Sequence, residues 1–365
     1  MGNDSVIYIR TDGNSKIATG HFVRCLCIAQ ELEKLGQKIC FLVSDEISSA
    51  LLQELSVSIF PEFRFSFQIL VLKTAVFDNL NLEIDELCRL IADKMPTILV
   101  DSYYVTPQYF NALKEVSRVV YMDDLRAFDY DVDVVINYDV IPLSKEKEYR
   151  LSYTKAKVCL LGAMYTPLRE QFKKQKIIIK EKMQKVFITT GGSDPYHFTK
   201  VISSFLLKQN LDLEFHIVIG RLFDNDNKEV LQALARENKK VHLYQNVADM
   251  AALMKQCDYA ISAAGTTLYE LCALGIPSIS VSFADNQVPM AKTFDETQAV
   301  PYAGDIRAGK TEGVSLRNTV ICNNILSHLA VSMNDYEKRK KQHETMQDLI
   351  DGNGAFLIAE KLIVI

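Results

Sequence analysis

Short, fully apolar, β-branched runs alternate with stretches of helical period along most of this chain, and that alternation leaves few architectures open. In the first half the runs are residues 6–9, 38–44, 97–101, 119–122, 134–137 and 158–162. Between them, 21–35, 47–55, 82–94 and 107–117 place apolar residues at helical spacing, with Gly36 as a stop and Thr106-Pro107 as a start. Strands apolar on both sides need cover on both sides. The pattern therefore predicts a parallel sheet between two layers of helices. The second half restarts it with strands at 186–190, 215–219, 241–244, 259–262 and 277–283, and helices at 198–207, 228–237, 247–255 (with Asp258 as its cap) and 268–274. Residues 62–81 show no clear period, and beyond Tyr302 the chain reads as mostly helical.

A chain of 365 residues exceeds one ordinary core, so two domains are expected. The composition shifts at 173–185, which is dense in lysine around the island Ile177-Ile178-Ile179. The expected division is 1–172, 173–335 and a helical extension at 336–365. With 41 basic and 46 acidic residues the net charge is −5, which speaks against nucleic-acid and membrane-surface partners. No apolar run approaches the ~20 residues of a membrane span. Met1 to Ser5 lacks the basic-then-apolar design of a signal peptide, and a cytoplasmic location is expected. The eight cysteines sit in apolar contexts and read as reduced. Cys25 and Cys27 lack the second close pair of a zinc site. No H-E-x-x-H or carboxylate cluster suggests a metal, and no cofactor is expected.

Three loops carry chemistry. The first is IRTDGNSKIATGHFVRC, residues 9–25, where a strand ends at Arg10-Thr11-Asp12 and a helix opens at Gly20-His21. An imidazole in the first turn of a helix meets a partial positive charge, which favours its neutral, proton-accepting form. Asp12 is positioned to orient its other nitrogen, and Arg24, three residues on, suits a phosphate or carboxylate. The same residues also fit a plain helix start with Arg24 paired to a surface acid. The second loop is Thr189-Thr190-Gly191-Gly192-Ser193-Asp194, a strand-to-helix turn whose backbone N–H groups and Ser193 hydroxyl suit phosphate oxygens. It lacks the dinucleotide G-x-G-x-x-G spacing and the P-loop lysine. The third is Ser262-Ala263-Ala264-Gly265-Thr266-Thr267, with Glu270 one turn into the helix. An ionised carboxylate there could accept both hydroxyls of a ribose, or simply favour the helix dipole. Asn286 and Gln287, after the next strand, offer side-chain amides to a sugar.

Taken in order, GHFVRC, VDSYYVT, YMDD, LLGAMYTPLRE, TTGGSDP and ISAAGTTLYELCALGIPSISVSFADNQ resemble the PseG/SpsG family, from Ile9 to about Gln287. Its PseG members hydrolyse UDP-2,4-diacetamido-2,4,6-trideoxy-β-L-altropyranose in pseudaminic acid biosynthesis. The last stretch is also similar to the UDP-GlcNAc glycosyltransferase of peptidoglycan synthesis. The resemblance implies a glycosyltransferase-B fold: two Rossmann-like domains with a central cleft. It implies that His21 is the catalytic residue, activating a water without a metal, and that the small-molecule partner is a UDP-sugar. Gly191, Gly192, Ser193, Asp194, Gly220, Gly265, Thr266, Thr267 and Glu270 fall in its UDP site. Arg169 falls where an arginine would offset leaving-group charge. Asp12, Gly20, Arg24, Tyr103, Asn286 and Gln287 fall around the sugar. The alternative is a UDP-sugar-dependent glycosyltransferase of surface or spore-coat polysaccharide. The absence of a Lys/Arg-rich amphipathic helix in the first half tilts the reading toward the hydrolase.

Overall fold

The structure, a computed structural model, describes residues 6–14, 19–92, 95–173, 177–307 and 314–364. They divide into two compact units, 1–170 with 353–365, and 171–352. In the first, β1 (Val6–Thr11), β2 (Lys38–Val43), β3 (Gln68–Val71), β4 (Thr97–Asp101), β5 (Arg118–Met122), β6 (Val134–Asn137) and β7 (Val158–Leu161) form a parallel sheet. Its order is β3-β2-β1-β4-β5-β6-β7. The connecting helices are α1 (Gly20–Lys34), α2 (Glu46–Ser58), α3 (Ile84–Ile91), α4 (Pro107–Lys114) and α5 (Glu146–Leu151). Every residue of β4 is buried, as a strand covered on both faces requires. Helix α4 starts where Thr106-Pro107 predicts: the Thr106 hydroxyl accepts from the Tyr109 N–H at 3.1 Å, and Pro107 fills the first turn.

The second unit holds β8 (Lys185–Thr189), β9 (Glu214–Ile219), β10 (Val241–Gln245), β11 (Tyr259–Ala263), β12 (Ser278–Ser282) and β13 (Tyr302–Asp305), in the order β10-β9-β8-β11-β12-β13. Its helices are α6 (Phe198–Leu207), α7 (Asn225–Glu237), α8 (Met250–Met254), α9 (Thr266–Leu274), α10 (Gln287–Glu296), α11 (Val314–Asn334) and α12 (Tyr336–Leu349). A last helix, α13 (Gly354–Val364), belongs to the first unit. Both sheets are parallel and doubly covered, as the sequence predicts.

The departures have physical reasons. Strand β3 lies in the stretch without period because it is an edge strand, alternately exposed and half-buried, and needs no apolar run. Strand β13, in a region expected to be helical, is another short edge strand, with Gly304 at φ +132° and a register shift against β12. Asp258 does not cap a helix. It accepts from the backbone N–H groups of Gln184 and Lys185, while Asp249 caps the shorter α8. The expected extension at 336–365 is not separate. Gln342, His343 and Gln347 of α12 bond the carbonyls of Ser278, Gly275 and Leu274 in the second unit. Helix α13 instead buries Ala355, Ile358, Ala359 and Leu362 in the core around α1. That second layer explains why α1 is apolar on nearly every side from Phe22 to Leu32.

Candidate functional site

Strands β1 and β4 are neighbours in the first sheet, with Thr11 paired to Asp101, and the strand order runs away from them in opposite directions. Such a switch point opens a crevice at the carboxyl ends of the strands. Two buried groups meet there. His21, in the first turn of α1, places Nδ1 2.6 Å from Oδ1 of Asp101, the last residue of β4. Arg24, one turn along α1, grips the same carboxylate with Nε to Oδ2 at 2.7 Å and Nη2 to Oδ1 at 2.5 Å. Its Nη1 donates to both oxygens of Asp124, at 2.9 and 2.7 Å, and to the Tyr138 hydroxyl at 2.5 Å. The Cys25 thiol adds a donor 3.3 Å from Asp101 Oδ2.

Burial opposes the charge on Asp101, but Arg24 and His21 outweigh it and hold the carboxyl well below the usual range. An ionised carboxylate only accepts, so His21 Nδ1 carries the proton it donates. The 3.2 Å approach of Arg24 Nη2 to the same nitrogen then joins two donors and is no hydrogen bond. In the neutral imidazole that tautomer leaves the lone pair on Nε2. Tyr103 sets its ring edge-on to His21, centroids 4.6 Å apart, and its hydroxyl 3.2 Å from Asp124. Burial and Asp124 push that hydroxyl up to about 12, so it stays a donor near neutrality.

Two expectations about this loop change. Asp12 does not orient His21. Its Oδ2 takes Arg10 Nη1 at 2.6 Å and its Oδ1 the Ser44 N–H at 2.7 Å, in a buried cluster where Arg10 also pairs with Glu83. Arg24 meets carboxylates of the protein itself rather than a ligand. The i,i+3 spacing does put it on the His21 face, but that face looks onto Asp101. Gly20 occupies the first position of α1 and is exposed, with nothing within 4 Å of where a Cβ would stand. The acid that does orient His21 was legible only as a polar residue at a strand end. Spacing within one loop cannot reveal a partner 80 residues away.

In the second unit the switch point lies between β8 and β11, where Thr189 pairs with Ser262. The two remaining loops leave these strands side by side. After β8 the chain turns through Gly191 at φ +86°, with its N–H held by the Thr189 hydroxyl at 3.1 Å. Gly220, after β9, packs so close that a Cβ would fall 2.4 Å from the Gly191 oxygen and 2.5 Å from that of Gly192. Gly220→Ala should therefore cost about 1–3 kcal/mol and displace this turn. Thermal unfolding and UDP titration would check it, and an unchanged midpoint with unchanged affinity would refute it. Asp194 is not available to a phosphate. Its oxygens cap α6, accepting from Phe198 N–H at 2.8 Å and Thr199 N–H at 2.9 Å, and also hold Asn227 Nδ2 at 3.0 Å. Asp194→Ala should lower stability by about 1–2 kcal/mol, read as a shift in denaturation midpoint.

Helix α9 opens at Gly265 with no side-chain cap, Thr266 exposed and Thr267 and Glu270 half-buried. Ser193 is half-buried in its turn. Asn286 is exposed at the start of α10, whereas Gln287 turns its carbonyl back to the Phe283 N–H at 2.9 Å. Arg169 is half-buried near the end of the first unit's main segment. Two groups of side chains among the described residues have donors close enough to share a cation: Glu214, His216 and His242, and His197, Asp224 and Asp226. Neither includes a residue of the His21 site. The described helices include none long and apolar enough to cross a membrane.

Residues 168–302 match the family model for the glycosyltransferase family 28 C-terminal domain. An uncharacterized protein, MJ1062, of Methanocaldococcus jannaschii is 27% identical over 285 residues, 75% of this chain and 54% of that protein. The spore coat polysaccharide biosynthesis protein SpsG of Bacillus subtilis is 25% identical over 197 residues, 53% of this chain and 54% of that protein. The aligned part thus spans about half the length of these two relatives. The UDP-2,4-diacetamido-2,4,6-trideoxy-β-L-altropyranose hydrolase of Campylobacter jejuni is 21% identical over 282 residues, 77% of this chain and 93% of that protein. Among solved structures, Acinetobacter baumannii MurG superimposes with a TM-score of 0.64 at 14% identity, covering 99% of this chain and 100% of that one. The fold is therefore the two-sheet α/β arrangement of glycosyltransferase-B proteins, with a family 28 C-terminal domain match over residues 168–302.

Proposed function

We propose that the protein is a nucleotide-sugar hydrolase that releases UDP from UDP-2,4-diacetamido-2,4,6-trideoxy-β-L-altropyranose or a close relative, within surface polysaccharide biosynthesis. The observation that carries the reading is the His21–Asp101 pair, with Nδ1 engaged at 2.6 Å; the base assigned to the reaction is Nε2 of the neutral ring. In the proposed step Nε2 takes a proton from a water as the water oxygen bonds the anomeric carbon. The bond from that carbon to the β-phosphate oxygen breaks, and UDP leaves with its electron pair. Asp101, held ionised by Arg24, offsets the charge gained by the imidazole. Gly191, Gly192, Ser193 and the uncapped start of α9 at Gly265, Thr266 and Thr267 are assigned to the diphosphate, and Glu270 to the ribose. Arg169 is assigned to leaving-group charge, and Tyr103, Gly20, Asn286 and Gln287 to the sugar. The similarity to the Campylobacter jejuni hydrolase supports the substrate class.

A second reading, a UDP-sugar glycosyltransferase, is favoured by the family 28 match. One assay separates the two: UDP release from the named UDP-sugar with no acceptor added. Equimolar UDP and free sugar support hydrolysis. Tight UDP binding without turnover, followed by turnover on adding an acceptor hydroxyl, replaces hydrolase with transferase.

A further inference from the structure

At the other end of the second sheet, away from its nucleotide-type loops, three side chains converge near the amino-terminal ends of the strands. Glu214 and His216 stand two residues apart on β9 and so share a face. His242 pairs directly with His216 on β10, the edge strand, and Tyr244 follows two residues on. The imidazole centroids lie 4.8 Å apart with the rings tilted by 30°. Glu214 Oε2 is 3.3 Å from His242 Nε2 and 3.8 Å from His216 Nε2. His216 is 4% exposed. Both Nε2 atoms are buried, and neither makes a hydrogen bond in this arrangement.

Two buried imidazole nitrogens without hydrogen bonds, turned toward one carboxylate oxygen, are costly unless something binds them. The spacing fits a cation. Donors about 2.0–2.1 Å from a tetrahedral ion lie roughly 3.3 Å from one another, and here all three donor atoms fall within 4.8 Å. His216 Nδ1 is 2.8 Å from the Tyr244 hydroxyl, the kind of second hydrogen bond that orients a ligating imidazole. The other group of donors is unlike this one. There His197 Nε2 is already taken by Asp224 at 2.6 Å, and Lys200 occupies Asp226. We propose that Glu214, His216 and His242 form a three-ligand site for a divalent transition-metal ion of the zinc class, which clips the edge strand β10 to β9. Two imidazoles and a carboxylate are the ligand types zinc takes, and a fourth position stays open to water.

The test uses the full chain, stripped with chelator and dialysed, then titrated with Co2+ and Zn2+. The expected result is one Co2+ per chain with the visible absorption of a low-coordinate nitrogen–oxygen site, displaced by Zn2+. Saturating Zn2+ should raise the unfolding midpoint by about 2–4 °C. His242→Ala, at a half-exposed edge position, should weaken binding by 10-fold or more while keeping the native circular dichroism, and Glu214→Gln should weaken it too. His197→Ala should leave it unchanged. Absence of stoichiometric binding, full affinity in His242→Ala, or loss of binding in His197→Ala would each overturn the proposal.

Discussion

His21→Ala is expected to lower acceptor-free UDP release by about 10²–10⁴-fold, with the affinity for UDP itself unchanged. That corresponds to roughly 3–5 kcal/mol of barrier. The direction follows from position. His21 is buried against Asp101 through one nitrogen, so what the substitution removes is the lone pair on the other. UDP, on the proposed assignment, is held by the turn after β8 and the start of α9, which do not include His21. Single-turnover rates and UDP titration measured side by side separate the two effects. If UDP release persists at the wild-type rate, His21 is not the base and the hydrolase reading loses its mechanism. If UDP affinity falls in parallel with turnover, the substitution has disturbed more than proton transfer. His21→Gln then distinguishes a lost base from a lost packing contact with Tyr103.

The sequence carried the repeated fold well because a doubly covered parallel strand has one legible form, a short β-branched run. β4, β11 and β12 are buried at every residue and were readable as such. Edge strands β3 and β13 escape that logic, since one side of their backbone faces no neighbour. Helix α13 escapes it for another reason. Its apolar residues announce a helix, but nothing local says that it returns to cover α1. The site divides the same way. His21 was found because its loop, helix start and motif are contiguous. Asp101 escapes the motif because its pairing joins the first turn of α1 to the end of β4, 80 residues apart in the chain. Arg24 and Asp12 were assigned to ligands because spacing gives the face of a residue and not what already occupies it. Glu214-x-His216 and His242-x-Tyr244 carry a period of two on successive strands, but only the register of β9 against β10 joins them.

Asp101→Asn should show how much of the site rests on that single carboxylate. Four donor groups from three residues converge on it: one from His21, two from Arg24 and one from Cys25. An asparagine offers one acceptor oxygen and turns an NH₂ toward a group that already donates. If that NH₂ faces Nδ1, the imidazole proton moves to Nε2 and the base is gone, so turnover should fall by about 10²-fold or more. Arg24 keeps Asp124 and Tyr138 but loses its buried countercharge, which should cost about 3 kcal/mol. The pH dependence carries a sign of its own. The folded-state pKa of Asp101 is depressed, so its stabilisation is complete above the ordinary carboxylate value of about 4 and is lost as pH falls below it. Wild-type stability should therefore decline faster on acidification than that of Asp101→Asn. Asp124→Asn is the control, since Asp124 binds Arg24 without touching His21 and is a quarter exposed. It should cost less stability and leave most of the turnover. Equal losses of turnover in the two variants would mean that Arg24 positioning, and not the His21–Asp101 hydrogen bond, sets the activity.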